Sequence, residues 1–576
     1  MKWALAATFA LAVLATWPMP LTPATALLGH PGNDVWNHVW GYWWVADEIS
    51  KGQLPLSTDL QRFPGTSALF FIDTFGALWT LPVQWVAGPV VAYNVSVFVC
   101  MWTAGMAAWA LARHVLRGWF GPQDADITAL IAAAAFVLSP HLLAQAYNGI
   151  TETLTSAGLP FATLAMLRLY ERPGAWRAVV AGTAGAFCML ANWYYGLFSV
   201  IGSAILLLTL AATRRERIHW RAIPGAAGGA AFLALALVAP VLVGFSRTLE
   251  SDTAIVKRDP EFVWNSLISH NMTDVVSIFR PGHVYSPDLK ALHGEDLLIV
   301  TYVGWTLLLL AGAGLWRLRR WRDRLPWMVW VAVFASLMLG PYLYVAGEYV
   351  TISDRRIPLP FLAFFDAFPL FSRISHPFRF VVPVQLGLGV LAAAGLGALP
   401  RWTRPVAVVA MMVEFLTLSP APWPLPLSSA AMPAYCADLA KDPVAGAVLD
   451  LPITVANLER AVYLYWQTVH GRPIPYSLNE PMPETLERSH LAKAIFIAEG
   501  GHIDHLPPML AELDLIVAGR ALADLGFRYV VFHERMYPPD RAKQVLTLLR
   551  VGFGDETSTT PDGEHIWRLE IPDLVQ

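Results

Sequence analysis

Long apolar runs separated by short polar connections fill the first three quarters of the chain. About 20 mostly apolar residues in a helix cross about 30 Å of hydrocarbon. Eleven stretches meet that requirement, centred roughly on residues 3–26, 84–112, 127–146, 152–169, 178–194, 196–212, 223–245, 296–316, 326–347, 377–399 and 405–420. The apolar region 127–169 is divided by Ser139-Pro140-His141 and by Tyr147-Asn148, so it reads as two helices joined by a short loop. Beyond residue 420 the pattern changes. A proline-rich stretch opens the tail, a stiff linker composition. Strand-like runs at 447–451 and 527–532 then alternate with charged helical stretches at 486–499 and 539–550. The pattern predicts a mostly α, polytopic membrane bundle over 1–420, with a small α/β domain over 421–576.

The short connections set the orientation. Arg113 and Arg117, then Arg168, Arg172 and Arg177, then Arg214, Arg215, Arg217 and Arg221 lie in alternate connections. So do Arg317, Arg319, Arg320, Arg322 and Arg324, and finally Arg401 and Arg404. The intervening connections 142–155 and 192–197 contain no Lys or Arg. That asymmetry puts the basic loops and the N-terminus in the cytoplasm. Segments 27–83, 246–295, 348–376 and 421–576 then lie outside. Lys2, an apolar run and Ala24-Thr25-Ala26 fit a cleaved signal peptide, but the run is longer than a signal-peptide core and Pro18, Pro20 and Pro23 interrupt its end, which favours a retained span.

Composition agrees with a membrane protein and excludes other classes. Of 576 residues, 56% are hydrophobic and 14% charged, against roughly 25% charged in soluble domains; mean hydropathy is +0.47. A net charge of −3 without a folded basic patch gives no reason to expect nucleic acid. The cysteines Cys100, Cys188 and Cys436 are too scattered for a disulfide framework or a thiolate metal site. No metal-ligand spacing, phosphate loop or cofactor motif is present, so no cofactor is expected.

The candidate chemistry lies in the outer loops. The first carries Asn33, Asp34, Asn37 and His38 just beyond the first span, followed by Trp40, Trp43 and Trp44. Asp34 and His38 are four residues apart and share a helical face. A carboxylate at a dry membrane edge suits a general base, although Asp34 reads equally as a helix N-cap. Trp43 and Trp44 read as interfacial anchors. Asp73 is a second loop carboxylate, either near the first or bonded by Thr74. The second outer loop holds Asn148 and Glu152. An acidic residue at the mouth of a span is a functional candidate by default, or a helix start capped by Thr151 or Asn148. Asn192, Tyr194 and Tyr195 make a polar aromatic notch suited to a sugar ring. Arg373, His376 and Arg379 surround Pro377 at the start of the tenth span, where basic side chains and a helix N-terminus make an anion site or a headgroup contact. Arg355-Arg356 is a weaker version. His283, His293 and Glu295 precede the eighth span, and Glu414 lies in the last one. Asp450, Gln467, His470 and His533 of the tail read as core or surface positions.

These motifs together resemble the GT-C superfamily of polytopic, lipid-sugar-dependent glycosyltransferases, and within it a YfhO-like branch of bacterial membrane proteins. The resemblance rests on Gly32-Asn33-Asp34, Trp43-Trp44, Arg62-Phe63-Pro64-Gly65, Ala92-Tyr93-Asn94, Ser139-Pro140-His141, Pro377-Phe378-Arg379-Phe380 and Val448-Leu449-Asp450-Leu451-Pro452. It rests too on Gln467 to Arg472 and on Gly526 to His533. The resemblance implies transfer of a sugar from a polyprenyl-phosphate donor, on the outer face of a bacterial inner membrane, to an envelope glycan, lipid or protein acceptor. It implies Asp34 as the general base and the Arg373 to Arg379 segment as holder of the carrier phosphate. Val35 follows Asp34, where GT-C enzymes often pair two acids, so a metal-bound diacid is not expected. A lipid or glycan flippase and a non-catalytic membrane scaffold are the alternatives. Polar groups strung along a path through the bilayer would favour the flippase.

Overall fold

A computed structural model describes residues 2–214, 220–255, 260–269, 271–282, 297–318, 320–368, 371–455, 457–478, 484–500 and 515–569. His283, His293, Glu295, Arg215, Arg217 and Arg319 lie outside the described residues.

A helix occurs in each of the eleven apolar regions. Four helices are long and apolar enough to cross a membrane: Leu81–Leu116, Trp193–Thr213, Ile223–Glu250 and Pro377–Ala398. Pro122–Val137 and Pro140–Asn148, bent by 41° at Ser139-Pro140, make a fifth as a pair. The remaining regions carry shorter helices, among them Lys2–Ala15, Trp305–Arg317 and Arg404–Leu418. The eighth region shows why length in sequence overstates length in helix. Residues 297–304 are not helical. Their backbone is taken up by side chains of the second outer loop: Asn148 Nδ2 donates to the Leu298 carbonyl (2.9 Å), Leu298 N–H to Asn148 Oδ1 (2.8 Å), and His141 Nδ1 lies 3.0 Å from the Val300 carbonyl. An amide side chain has replaced the helical ladder as the partner those groups require.

The bundle centres on Val381–Ala398, whose residues from Val381 to Leu396 are all buried. It packs on Trp305–Arg317, Pro122–Val137 and Trp321–Met338. Against Trp305–Arg317 the two backbones nearly touch: a Cβ added to Gly314 would sit 2.0 Å from the Leu391 carbonyl, and one on Gly395 1.9 Å from that of Leu310. Small residues allow this approach where helices associate without a hydrophobic drive. Ile223–Glu250, in contrast, exposes Phe232, Leu235, Leu237, Val241, Leu242 and Val243 along its length, as a lipid-facing helix does. At the basic end, Asp126 pairs with Arg113 (2.6 Å) and Arg117 (3.1 Å), and Asp124 with Arg401 (3.5 Å) and Arg404 (3.2 Å).

The tail carries a four-stranded sheet in the order Ser558–Thr559, Glu564–Arg568, Phe527–His533, Ala447–Leu451. The last two strands are parallel and the other pairings antiparallel. The proline-rich stretch ahead of it is bound rather than free: Leu425 N–H donates to the Trp17 carbonyl (3.0 Å) and Trp423 Nε1 to that of Leu14 (2.9 Å). Ala26–Leu28 of the first outer loop pairs antiparallel with Leu427–Ser429. The tail and the first loop are thereby one structural unit, a union the separate runs of sequence do not announce.

Candidate active site

The first outer loop forms the helix Val35–Ser50, with Asp34 at its N-cap position. The aspartate makes no side-chain capping bond; its Oδ1 accepts instead from Asn37 Nδ2 (2.9 Å). The helix start is seated on the second outer loop by backbone bonds from Asp34 N–H to the Asn148 carbonyl (3.0 Å) and from His30 N–H to that of Tyr147 (2.8 Å). Gly149 closes the helix Pro140–Asn148 at φ +74°, and a Cβ there would stand 2.4 Å from Val35 Cγ2 and 2.8 Å from Val35 N. Only glycine combines that backbone with that contact. Asn33 and Asn37 are buried, and Asn33 Nδ2 reaches Asn148 Oδ1 at 3.5 Å.

One turn on, His38 is buried. Its Nδ1 lies 2.8 Å from Thr151 Oγ1 and its Nε2 3.4 Å from Glu152 Oε2. Thr151 also donates to Asp73 Oδ2. Asp73 caps the helix Thr74–Trp79, accepting from Gly76 N–H (3.1 Å), and takes a further bond from Tyr42 OH (2.9 Å). The hydroxyl of Thr74 donates to the Phe71 carbonyl and not to Asp73. Burial raises the Asp73 carboxyl to about 6, against the opposing effect of its three donors. Burial, aided by the Arg379 charge, lowers His38 to about 3.

Arg379 Nη2 stands 3.9 Å from Glu152 Oε1, and its guanidinium lies over the Tyr194 ring at 4.9 Å. Its Nε, and the Nε2 of buried His141 nearby, have no hydrogen-bond partner among the described residues. Tyr195 donates to the Thr153 carbonyl, and Asn192 Nδ2 to that of Glu152 (3.1 Å), so the aromatic notch braces the Glu152 turn. Asp34 and Asp73 both act electrostatically on Glu152. One cluster therefore contains Asp34, Asn37, His38, Asp73, Glu152, Tyr194 and Arg379. Arg373 lies exposed on the same segment, and His376 bonds Ser375 Oγ (2.7 Å) and meets Phe378 edge-on.

Two readings of the loops change. Glu152 starts no capped helix: Thr151–Leu154 has no side-chain cap, because Thr151 is turned to His38 and Asp73, and Asn148 to Leu298. Trp44 is no interfacial anchor. It is fully buried, stacked on Trp40 at 5.6 Å, whose Nε1 donates to Gln467 Oε1 of the tail (2.7 Å). Tyr42 and Thr151 were not foreseen as site residues. Tyr42 had a signal, lying four residues beyond His38 on the same helical face.

The fold is similar to those of two solved glycosyltransferases. Among solved structures, the oligosaccharyltransferase of Archaeoglobus fulgidus in its apo form aligns at 12% identity with a TM-score of 0.50, over 93% of this chain and 70% of that one. Arabinofuranosyltransferase AftD from Mycobacteria aligns at 15% identity with a TM-score of 0.51, over 98% of this chain and 41% of that one. No protein-family model and no curated protein matches the chain, and the likenesses do not bear on a YfhO-like branch.

Proposed function

We propose that the protein is an integral membrane glycosyltransferase that moves a sugar from a polyprenyl-phosphate donor to an acceptor on the outer face of a bacterial inner membrane. In this reading the acceptor oxygen attacks the anomeric carbon while its proton passes to the Asp34 carboxylate. The bond from that carbon to the phosphate oxygen breaks, and its electron pair leaves with the phosphate, whose charge Arg379 balances. The membrane bundle is residues 1–420, and the tail 421–576 is an extracytoplasmic domain that holds the first loop. The N-terminus is cytoplasmic, an orientation that rests on the basic connections.

The observation that carries the reading is Arg379. Within a basic outer segment it is the cation drawn inward, between Glu152 and the Tyr194 ring, with Nε unpartnered among the described residues. Its cluster lies at the end of a fold shared with proteins named for transferring sugars. The Asp34 carboxylate makes no capping bond to its own helix and accepts from Asn37 Nδ2 (2.9 Å).

Native mass spectrometry of the detergent-purified protein tests the donor class without a guess about the acceptor. The expected result is a co-purifying polyprenyl-phosphate sugar that is depleted in Arg379→Ala. Ordinary phospholipid alone, at equal occupancy in both proteins, would overturn the assignment of Arg379.

A further inference from the structure

The bonding around Thr151 decides where the proton on His38 sits. A hydroxyl has one proton to give and can accept at its oxygen. Thr151 Oγ1 touches two groups, Asp73 Oδ2 and His38 Nδ1. Ionised Asp73 only accepts, and it already draws Gly76 N–H and Tyr42 OH. The threonine proton therefore goes to Asp73, and the Thr151 oxygen is left to accept from His38.

We propose that Thr151 is a positioning residue that holds His38 in its Nδ1–H form, turning the bare Nε2 towards Glu152. Nε2 and Glu152 Oε2, 3.4 Å apart, are then two acceptors face to face. A lone pair opposite a carboxylate is repulsive, so one proton is held between them and the pair carries it in common. Glu152 loses its negative charge in that arrangement. Arg379, 3.9 Å from its other oxygen, keeps an uncancelled positive charge for an anion. The His38 tautomer stands on geometry alone; its meaning for a carrier phosphate rests on the transferase reading above.

Replacing Asp73 by Asn reverses the relay. Gly76 N–H requires an acceptor at the Oδ1 position, so the amide oxygen stays there and the amide nitrogen takes the place of Oδ2. The nitrogen donates to Thr151, whose proton turns to His38 Nδ1. His38 must then carry its proton on Nε2 and donate to an ionised Glu152. Thr151→Val gives the same outcome by another route, since Nδ1 loses its acceptor while Glu152 remains available to Nε2.

Nitrogen-15 NMR of the full-length, histidine-labelled protein in detergent reads the tautomer directly. The His38 signal is assigned by its loss in His38→Gln, and the spectrum is taken well above the pH near 6 where Asp73 titrates. The wild type is expected to show the Nδ1–H form, and Asp73→Asn and Thr151→Val the Nε2–H form. The signal of His533, held by Asp450 in the tail (3.0 Å), should not move and reports that the variants are folded. A wild-type His38 in the Nε2–H form overturns the proposal whether or not either variant folds. So does a folded Asp73→Asn that keeps the wild-type tautomer. Neither result depends on the lipid found by mass spectrometry, so the relay and the donor class can fail separately.

Discussion

Gln467 is the polar link between the tail and the helix that carries Asp34 and His38, and replacing it by Leu should loosen that helix selectively. The side chain is fully buried. Its Oε1 accepts from Trp40 Nε1 (2.7 Å), and its Nε2 donates to the Leu60 carbonyl of the same outer loop (2.6 Å) and to that of Arg472 (2.8 Å). Leucine fills most of the volume and strands one loop group, the Trp40 N–H, while the Leu60 carbonyl still accepts from Ile474 N–H. A buried group stranded in this way costs about 1–3 kcal/mol, so the loop–tail contact loses about that much. The backbone bonds from Ile474 N–H to Leu60 (2.9 Å) and from Phe63 N–H to Ile474 (3.1 Å) survive, as does the strand pairing at Ala26–Leu28. The chain should therefore fold while the helix opens more often. Amide exchange over Val35–Ser50 measures this: 2 kcal/mol corresponds to about thirtyfold faster exchange, and exchange in Val381–Ala398 should be unaltered. Adding Trp40→Phe should recover part of the loss, because removing both partners of a buried bond costs less than removing one. Exchange of the loop helix within about threefold of wild type would refute the claim that Gln467 holds it.

Other outcomes follow from the same contacts. Asp34→Asn keeps an oxygen for Asn37 and sacrifices no cap, so it should leave thermal stability unchanged and reduce sugar transfer by about 10²–10⁴-fold, the usual value of a general base; full activity in a transfer assay would remove Asp34 from the mechanism. Asp73 and His38 should pull stability in opposite directions with pH. Native Asp73 binds its proton more tightly than the unfolded chain does (about 6 against 3.8), so its contribution is fully present below about 3.8 and falls as pH rises to about 6. Native His38 binds its proton less tightly (about 3 against 6.5), so its contribution is present above 6.5 and is lost as pH falls towards 3. Thermal midpoints measured from pH 4 to 6.5 should climb more steeply in Asp73→Asn than in wild type, and less steeply in His38→Gln; parallel curves would contradict both. Glu414→Leu should destabilise the protein by about 2–4 kcal/mol through the lost bonds at the start of Trp305–Arg317 without reducing the lipid-linked sugar that co-purifies, and selective loss of that lipid would give Glu414 a binding role.

The helices were legible because hydrophobic runs of this length have few alternatives, and the tail strands read at 447–451 and 527–532 because short apolar runs of strand-forming residues do the same for sheets. What periodicity cannot reveal is which polar group replaces a helical bond. Residues 297–304 read as part of a span, yet the Asn148 amide and His141 take up their backbone. The site shows the same division. Asp34, His38, Glu152 and Arg379 stood out by charge in apolar surroundings, but Arg373 and Arg379 looked alike in sequence. Only packing separates them, with Arg379 turned in over Tyr194 and Arg373 left exposed. Thr151 and Gln467 were least visible, because an uncharged side chain gains its meaning from partners 78 and 427 residues away.

The distribution of acidic groups bears on the choice between transfer and transport. A flippase needs polar groups along a route through the bilayer. Glu414 is the acidic residue of the last span that such a route would use, and its oxygens accept from Trp305 N–H (2.5 Å), Thr306 N–H (2.8 Å) and Tyr302 OH. It closes the N-terminus of a neighbouring helix, a structural duty that consumes both oxygens. At the basic end Asp124 and Asp126 are held by four arginines. At the outer end, by contrast, Arg379 keeps a buried donor without a partner among the described residues. Among the described charged side chains of the bundle, the buried atoms without a hydrogen-bond partner are those of Glu152 and Arg379, under the first outer loop. A reaction at that face is served by charge placed there, whereas unpartnered groups within the spans, such as Trp102 Nε1 and Gln385 Oε1, are uncharged.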